Sequence, residues 1–372
     1  MPCSAGIEFG SSAYLRSFFE RVAQERLPVS GGFDLTSRCN FRCRHCYLGH
    51  MTGRSPRDLG ELTTGEAVDL IRQAADAGCL LLLLTGGEPL LRTDFLDIYL
   101  AAKRMGLLIT VFTNGSLIDQ AHMDVFAEYP PHEVEISLYG MSEDTYERVT
   151  GSRAFARVKA AIDGLHERGV RIGLKSMVLR ENVDDIEGME AYARRLGVPF
   201  RVDPVITPRL DGDRAPLAQR VDPARAAALE MRLEGYREEM ARFCAERVAP
   251  DEAEQPSSNR LYRCGAGQES FHMDSQGFVH PCEMSSIAYD SRQLGFAGGW
   301  VAVRSAVDEA VWEQASRCEG CEHILLCGYC PALFALEGGS PAQPPSYLCS
   351  LGESRTALLG RDELEVVGVN AE

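Results

Sequence analysis

Three cysteines lie close together in the stretch Ser37-Arg38-Cys39-Asn40-Phe41-Arg42-Cys43-Arg44-His45-Cys46-Tyr47. Their spacing is C-x3-C-x2-C, so they offer three thiolates, whereas a [4Fe–4S] cube has four irons to ligate. A cube held by these residues keeps one iron open to a molecule other than protein. The alternative is zinc, which normally takes four Cys or His ligands arranged in C-x2-C pairs. Because His45 is adjacent to Cys46 and awkwardly placed as a fourth ligand, the spacing favours an iron–sulfur cluster.

A second motif follows about one βα unit later in the chain. The apolar run at residues 79–85 ends in Gly86-Gly87-Glu88-Pro89. A short run this apolar, ended by glycines, is typical of a buried parallel strand. Gly-Gly-Glu-Pro alone is a common turn, but its position after the cysteine motif makes the pair specific. A short strand is also expected at residues 33–36, so the cysteines would follow the C-terminal end of a strand.

The two motifs together resemble the signature of the radical S-adenosylmethionine (SAM) superfamily. In that family SAM chelates the open iron, and one electron cleaves it to a 5′-deoxyadenosyl radical. The resemblance implies that Cys39, Cys43 and Cys46 hold the SAM-binding cluster. The residues that it places against the amino group of SAM are Gly86, Gly87, Glu88 and Pro89.

Four further residues are candidates for binding SAM. Asn114 closes the third expected strand in Thr-Asn-Gly, where similar family segments lie beside SAM, and a glycine-containing turn is the alternative. Ser137 matches a family position that contacts the ribose or carboxylate of SAM. Lys175 could pair with the carboxylate of SAM or belong to a structural ion pair. Tyr47, directly after the last cysteine of the first motif, completes the set.

A second group of cysteines lies in the last third of the chain. Its members are Cys264, Cys282, Cys318, Cys321, Cys327, Cys330 and Cys349. The pattern is C-x12-G-x4-C, then C-x2-C-x5-C-x2-C, and a last cysteine after eighteen more residues. It resembles the SPASM extension of radical SAM enzymes, which binds two auxiliary [4Fe–4S] clusters. The family pattern ends in C-x3-C, so this chain is one residue short before Cys330.

The resemblance implies two ligand sets. The distal cluster would be held by Cys318, Cys321, Cys327 and Cys349, and the proximal cluster by Cys264, Cys282 and Cys330. Relatives with a full set have a further cysteine shortly before the first, and residues 257–263 contain none. An open iron or a distant ligand such as Cys244 is therefore expected at the proximal cluster. Zinc is the alternative for the C-x2-C pairs.

Strand-like and helix-like segments alternate from residue 32 to about residue 205. The expected strands lie near 33–36, 80–85, 108–113, 133–138, 171–178 and 200–205. The expected helices lie near 63–78, 94–105, 119–128, 154–168 and 183–196. Six such repeats with right-handed crossovers give a curled parallel sheet. This matches the partial (β/α)6 TIM-like barrel of the family, with functional residues at the C-terminal ends of the strands.

The fold class expected is therefore α/β, a partial (β/α)6 barrel with a smaller cysteine-rich SPASM domain. The expected regions are an N-terminal helical extension at 1–31, the barrel at 32–206, a helical linker region at 207–260, the SPASM domain at 261–351 and a tail at 352–372. Within the linker region, residues 223–248 predict one long helix and residues 250–258 a polar linker.

The composition fits a globular enzyme in a reducing compartment. Of 372 residues, 45% are hydrophobic and 25% are charged, which is ordinary for such enzymes. The net charge of −16 argues against nucleic acid or an anionic membrane as a partner. No apolar run approaches the ~20 residues of a membrane span. The 13 cysteines, an odd number in a chain without a signal-peptide pattern, favour metal ligation, so we expect a cytoplasmic protein.

The resemblance leaves the substrate open. The first hypothesis is modification of a ribosomally synthesised peptide by crosslinking, epimerisation or oxidation. A small molecule such as a tetrapyrrole or sugar precursor is the alternative, and a non-enzymatic iron–sulfur electron carrier would leave Gly86-Gly87-Glu88-Pro89 unexplained. Because about 31 residues precede the first strand, too few for a leader-binding domain, a separate leader-peptide-binding protein is expected. A reductant such as flavodoxin or ferredoxin is the other expected partner.

Glu283 is the candidate catalytic residue. It follows Cys282 and resembles the position of an Asp that deprotonates the substrate in sulfatase-activating relatives. The longer Glu side chain would shift the carboxylate by about 1–1.5 Å, which disfavours that particular activity. We expect Glu283 to act as a general base toward a differently placed proton, with a solvated loop carboxylate as the alternative.

Three expectations concern structure rather than chemistry. Cys79 is expected to be a small core residue, and Cys244 either a core residue or a cluster ligand. Residues 274–277, Asp-Ser-Gln-Gly, predict a hairpin turn in which Asp274 is structural. Cys3 belongs to the N-terminal extension and is assigned no role.

Overall fold

The computed structural model describes residues 13–49, 59–248, 260–312 and 317–360. Cys3, the polar linker predicted at 250–258 and residues 361–372 of the predicted tail lie outside these ranges. The strands are β1 (Ser30–Thr36), β2 (Leu81–Gly86), β3 (Leu108–Thr113), β4 (Glu133–Ser137), β5 (Ile172–Met177), β6 (Phe200–Asp203), β7 (Ser270–Met273), β8 (Phe278–His280) and β9 (Tyr289–Asp290). The helices are α1 (Ala13–Glu25), α2 (Thr64–Asp76), α3 (Phe95–Arg104), α4 (Gln120–Glu128), α5 (Glu143–Thr150), α6 (Phe155–Glu167), α7 (Ile186–Leu196), α8 (Pro223–Glu230), α9 (Tyr236–Val248), α10 (Ser291–Glu309), α11 (Pro331–Gly338) and α12 (Ser346–Leu359).

The strands form one nine-stranded sheet in the order β6-β5-β4-β3-β2-β1-β7-β8-β9. The first six strands are parallel to their neighbours and follow one another in chain order. This is the parallel α/β core expected from the sequence, and all six predicted strands are confirmed to within three residues at each end. The apolar run of β2 supplies fully buried side chains such as Leu82 and Leu84, as its composition predicts. Among the described residues, no helix is long and apolar enough to cross a bilayer.

Helix α5 was not predicted, although its two ends carry ordinary sequence signals. Ser142 caps its N-terminus, because the hydroxyl accepts a hydrogen bond from Thr145 N, and Gly151 ends it with a φ of 69°. A polar serine before a helix and a glycine after it are the residues that such positions favour. The prediction missed α5 because the helix has only eight residues and precedes α6 without an intervening strand.

The single long helix predicted over residues 223–248 is wrong. The structure has α8 and α9 instead, separated by a turn in which Gly235 takes a φ of 71°. Left-handed backbone of this kind ends a helix and is readily adopted by glycine. The predicted domain boundary at 351/352 lies within α12, and the division into domains stays a prediction.

The C-terminal third joins the barrel through the sheet itself. Strand β7 pairs in parallel with β1, and β7 and β8 form an antiparallel hairpin. The predicted turn is confirmed, because Asp274 Oδ1 accepts hydrogen bonds from Gln276 N and Phe278 N, both at 2.9 Å. Gly277 completes the turn with a φ of 87°. The sequence did not predict that this hairpin would extend the barrel sheet.

A buried ion pair fastens α12 to α8. Arg355 Nη2 lies 2.7 Å from Glu230 Oε1, and Arg355 Nε lies 2.8 Å from Glu230 Oε2. The remaining guanidinium nitrogen donates to Leu326 O at 2.7 Å, directly before Cys327. Glu230 also accepts from the Tyr236 hydroxyl at 2.7 Å. Both charged side chains are at least nine-tenths buried, so each depends on the other for compensation.

We predict that Glu230→Gln strongly destabilises the protein. The substitution leaves the guanidinium of Arg355 buried and uncompensated, which typically lowers the free energy of unfolding by about 3–5 kcal/mol. Denaturant unfolding followed by circular dichroism measures the effect. The matched control is Glu187→Gln, which removes the exposed partner of Arg232 and should cost at most ~1 kcal/mol. Equal losses in the two variants would contradict the buried pair's structural role.

Candidate active site

The cluster loop, residues 37–49, leaves the C-terminal end of β1. Two backbone hydrogen bonds hold it against α5. Arg42 N donates to Thr150 O at 2.8 Å, and Arg44 N donates to Val149 O at 3.1 Å. The helix that sequence reasoning missed is therefore a direct support of the three-cysteine loop.

The glycines of the second motif lie directly against the start of the cluster loop. Gly87 N donates to Thr36 O at 2.8 Å, and Glu88 N donates to Arg38 O at 2.9 Å. A Cβ atom on Gly86 would lie 2.3 Å from Thr36 O, and one on Gly87 would lie 2.3 Å from Arg38 O. Gly86 also has a φ of +129°. The structure therefore brings the two sequence motifs into contact, and only glycine lets the two backbone segments approach this closely.

Glu88 is fully buried beneath this contact. Its Oε1 accepts from the Thr113 hydroxyl at 2.8 Å and from Leu90 N at 3.1 Å, and its Oε2 accepts from Asn114 N at 2.7 Å. Burial raises the pKa of Glu88 to about 7, against the lowering effect of these hydrogen bonds. All three donors are uncharged, so a cation beside the carboxylate would favour its ionised form. Pro89, which the sequence also predicts at the SAM site, is buried next to Glu88 and begins a short 3-10 helix.

Asn114 ties the end of β3 to the cluster loop. Its Nδ2 donates to Asn40 Oδ1 at 2.9 Å and lies 3.9 Å from Cys39 Sγ. Asn40 Nδ2 in turn donates to Ser116 Oγ at 2.9 Å, and the Ser116 hydroxyl donates to Asn114 Oδ1 at 2.7 Å. The three side chains form a closed hydrogen-bonded triangle. The sequence analysis did not identify Asn40 or Ser116. The only signal was their position: Asn40 directly follows the proposed ligand Cys39, and Ser116 lies shortly after the end of β3.

Ser137 and Lys175 face each other in the register of β4 and β5. Lys175 Nζ lies 3.7 Å from Glu135 Oε1 and 3.3 Å from the centre of the Phe112 ring. Arg201 pairs with the other oxygen of Glu135. Of the two alternatives for Lys175, the structure therefore contains the ion pair, with two cations around one buried carboxylate. Contacts of Ser137 and Lys175 with SAM stay predictions.

Tyr47 and Glu283 meet, although they are far apart in sequence. The Tyr47 hydroxyl donates to Glu283 Oε2 at 3.3 Å. Burial raises the pKa of Tyr47 well above its usual range, and the Glu283 carboxylate raises it further, so the phenol keeps its proton. Each residue directly follows a predicted cluster ligand, Cys46 in one case and Cys282 in the other. Glu283 is half-buried, which disfavours the solvated-loop alternative.

The three thiols of the cluster loop fit a metal cluster by their chemistry. Burial raises the pKa of Cys39 to about 12, raises that of Cys43 well above its usual range, and raises that of Cys46. Cys39 and Cys46 also add to the pKa of Cys43, which means that the thiols lie close enough to interact. Such thiols ionise only with a strong compensating charge, which a bound iron–sulfur cluster supplies.

The four cysteines predicted for the distal cluster share one cavity. It has a volume of about 80 Å³ and is lined by Cys318, Cys321, Cys327 and Cys349 together with Arg317 and His323. Burial raises the pKa of Cys327 to about 12, and the other three thiols raise it further. Across the described ranges, no three His, Cys, Asp or Glu side chains are grouped so as to hold a single metal ion.

The three cysteines predicted for the proximal cluster are also brought together. Burial raises the pKa of Cys282, and Cys330 and Cys264 add to the effect. Cys330 caps the N-terminus of α11, where its Sγ accepts from Leu333 N at 3.4 Å. Cys330 thus interacts with Cys264 and Cys282 despite the spacing that is one residue short, and its ligation of a cluster stays a prediction.

The remaining described cysteines are core residues. Cys79 is buried in the main hydrophobic core, as predicted. Cys244 is 1% exposed and packs against Leu326 and Leu359. Of the two roles expected for Cys244, the structure supports the core role, because apolar side chains surround its sulfur.

Comparisons with known proteins agree with this architecture. Residues 34–193 match the family model described as the radical SAM superfamily. The chain is 32% identical over 190 residues to Fe-coproporphyrin III synthase of Methanosarcina barkeri, covering 49% of this chain and 45% of that protein. It is 32% identical over 177 residues to PqqA peptide cyclase of Ruegeria pomeroyi, covering 46% of each. The match thus spans about half the length of these curated relatives. Mycofactocin maturase MftC of Mycobacterium ulcerans is 28% identical over 355 residues, covering 89% of this chain and 90% of that protein.

Solved structures share the fold across most of the chain. SuiB of Streptococcus suis bound to SAM has a TM-score of 0.68 at 17% identity, covering 92% of this chain and 84% of SuiB. Native anSMEcpe with bound AdoMet has a TM-score of 0.68 at 15% identity, covering 91% of this chain and 99% of that one. At these identities the likeness concerns the fold alone.

We predict that Glu88→Gln weakens SAM binding. If the Glu88 carboxylate contacts the ammonium group of SAM, the variant loses a charge-assisted hydrogen bond of about 1.5–3 kcal/mol, roughly 10- to 150-fold in Kd. Equilibrium dialysis of SAM against the reconstituted protein measures this loss. The control is Glu234→Gln on the surface, and melting curves separate lost binding from lost folding. Unchanged SAM affinity in Glu88→Gln would show that this carboxylate does not contact SAM.

Proposed function

We propose that this chain is a radical SAM enzyme and that it modifies a ribosomally synthesised peptide. The observation that carries the proposal is the alignment with a maturase along 89% of the chain, which is long enough to extend into the cysteine-rich third. A SuiB structure with bound precursor peptide SuiA shares the fold over 93% of the chain, with a TM-score of 0.65. The net charge of −16 also favours a basic peptide over an acidic one.

The proposed SAM site lies at the C-terminal ends of β1, β2 and β3. With a [4Fe–4S] cluster and SAM bound, the site supplies a 5′-deoxyadenosyl radical that abstracts a hydrogen atom from an unactivated C–H bond. Cys39, Cys43 and Cys46 would hold the cluster. The backbone of Gly86 and Gly87 sets the distance between the cluster loop and β2, and Asn114 holds the loop against β3.

We propose two auxiliary clusters, held by the two cysteine sets of the C-terminal third. The support is the thiol chemistry described above, with four cysteines around one cavity and three in a second group. A three-ligand proximal set would keep one iron open. The auxiliary clusters would then accept an electron from the product radical or bind the substrate directly.

Glu283 is proposed as the general base. It lies beside the proximal cysteine group and accepts a hydrogen bond from Tyr47 of the cluster loop. A carboxylate at this junction can take a proton from a substrate that has lost a hydrogen atom nearby. The leader-peptide-binding protein and the flavodoxin or ferredoxin expected from the sequence stay predictions.

The second candidate function is modification of a tetrapyrrole. The observations that favour it are the identities to Fe-coproporphyrin III synthase and to AdoMet-dependent heme synthase. Each of these covers less than half of this chain, whereas the alignment with the maturase covers nearly all of it. We therefore favour a peptide over a tetrapyrrole as the substrate.

We predict that the reconstituted enzyme, with a reductant and SAM, produces 5′-deoxyadenosine and methionine slowly, and faster with its substrate. Precursor peptides encoded by neighbouring genes are the candidates to add, and mass spectrometry of the peptide detects the modification. Glu283→Gln should abolish the product while deoxyadenosine formation continues. If a tetrapyrrole, but none of the peptides, accelerates 5′-deoxyadenosine formation, the second candidate function is favoured. A normal yield of modified peptide from Glu283→Gln would exclude Glu283 as the general base.

We predict about twelve irons and twelve sulfides per chain after anaerobic reconstitution, because the ligands suffice for three cubes. Replacing Cys39, Cys43 and Cys46 together by Ala should remove about four irons and abolish SAM cleavage. Cys244→Ala is the matched control and should retain all the iron. Stoichiometric zinc with only four irons would contradict the two auxiliary clusters, and loss of iron from Cys244→Ala would identify Cys244 as a ligand.

A further inference from the structure

A cavity of about 480 Å³ lies between β1, the cluster loop and the β7–β8 hairpin. Its lining combines carboxylates with apolar side chains. The carboxylates are Asp34, Asp274 and Glu283, and Leu48 and Leu210 are among the apolar residues. Pockets of this kind bind ligands through a few placed polar groups in an otherwise apolar wall.

Asp34 and His272 form a buried pair in the wall of this cavity. His272 Nε2 lies 3.2 Å from Asp34 Oδ2, and both side chains are more than nine-tenths buried. In the register of β1 and β7, His272 lies opposite Gly32. A Cβ on Gly32 would be 2.7 Å from His272 Nδ1, so the missing side chain makes room for the imidazole. Gly32 and Asp34 share one face of β1, because alternate residues of a strand point the same way.

The two oxygens of the Asp34 carboxylate differ in their surroundings. Among the described residues, no donor reaches Asp34 Oδ1, which is buried. The other two carboxylates are already engaged, since Glu283 accepts from Tyr47 and Asp274 Oδ2 lies 3.3 Å from His280 Nε2. A buried carboxylate oxygen without a hydrogen bond is unfavourable, and a ligand that brings a donor removes that penalty.

The charges that line the cavity indicate which kind of ligand would donate to Asp34. The lining holds three carboxylates and the imidazoles of His272 and His280, and the Tyr47 phenol donates to Glu283. Burial lowers the pKa of His272, but the carboxylates of Asp34, Glu283 and Asp274 outweigh burial and raise it overall. Even with His272 protonated, the carboxylates outnumber that single positive charge. A cationic ligand is therefore favoured over a neutral or anionic one.

We propose that this cavity binds the cationic side chain of a lysine or arginine in the substrate peptide, with Asp34 as its acceptor. His272 is the positioning residue, because its hydrogen bond to Oδ2 orients the carboxylate and leaves Oδ1 to the ligand. The inference rests on the proposed peptide function and adds a specificity determinant to it. The apolar residues Leu48 and Leu210 would contact the methylene groups of the side chain.

The test measures binding of two probes to the reconstituted holoenzyme by anaerobic equilibrium dialysis. The probes are N-acetyl-lysine methylamide and its uncharged analogue N-acetyl-norleucine methylamide. The parent protein should bind the lysine probe at least tenfold more tightly, and Asp34→Asn should reduce that preference to twofold or less. Asp184→Asn, which removes an exposed carboxylate elsewhere, should keep the full preference. Absence of a preference in the parent, or its persistence in Asp34→Asn, would overturn the proposal.

Two His272 variants test the positioning role. His272→Gln retains a side-chain donor toward Asp34 and should keep most of the preference, whereas His272→Leu should lose it. The ratio of two affinities does not move through destabilisation alone, so it separates positioning from folding. Equal ratios in the Gln and Leu variants would exclude the role of His272.

SAM itself carries a positive charge, so its binding is measured in parallel. Competition between SAM and the lysine probe, or a parallel loss of SAM affinity in Asp34→Asn, would identify the cavity as part of the SAM site and overturn the proposal. The experiments distinguish failure of this inference from failure of the proposed function. A preference for the lysine probe without modification of any peptide would contradict the proposed function alone. Modification of a peptide by a parent protein without the preference would contradict only this inference.

Discussion

The close contact between the end of β2 and the start of the cluster loop underlies the whole candidate site. Gly86 and Gly87 lie so near to the carbonyl groups of Thr36 and Arg38 that a Cβ on either would be 2.3 Å from an oxygen. Because the loop starts from this contact, the three thiols are placed relative to the carboxylate of Glu88. The network of Asn114 and the support from α5 then act on a loop whose origin is already fixed.

The second constraint is the pairing of β7 with β1. It makes the cysteine-rich third a continuation of the barrel sheet, so the residue after Cys282 reaches the residue after Cys46. The hydrogen bond between Tyr47 and Glu283 follows from this arrangement. A proposed general base thus lies between the proposed SAM cluster and the proximal cysteine group, where a substrate radical would need both a base and an electron acceptor.

Buried carboxylates recur around the barrel mouth, each with a different compensation. Glu88 accepts three hydrogen bonds from uncharged donors, and Glu135 pairs with Lys175 and Arg201. Within the part of the chain that the structure describes, Asp34 has His272 at one oxygen and no hydrogen-bond donor at the other. Because burying a carboxylate is unfavourable unless its oxygens are paired, the carboxylates with incomplete compensation are the ones that favour a positively charged ligand.

The sequence by itself determined the six parallel strands, because these depend on apolar runs. Its cysteine spacing, through the resemblance to a known family, also led to the proposed radical SAM chemistry and to the two proposed cysteine groups. It did not reveal helix α5, the break at Gly235, the extension of the sheet by β7, or the triangle of Asn40, Asn114 and Ser116. Only the tertiary structure decided that Lys175 pairs with Glu135 and that Cys244 is a core residue. The reason is physical: such roles arise from contacts between residues distant in the chain, and a hydrogen bond or ion pair of that kind leaves no periodic pattern in the sequence.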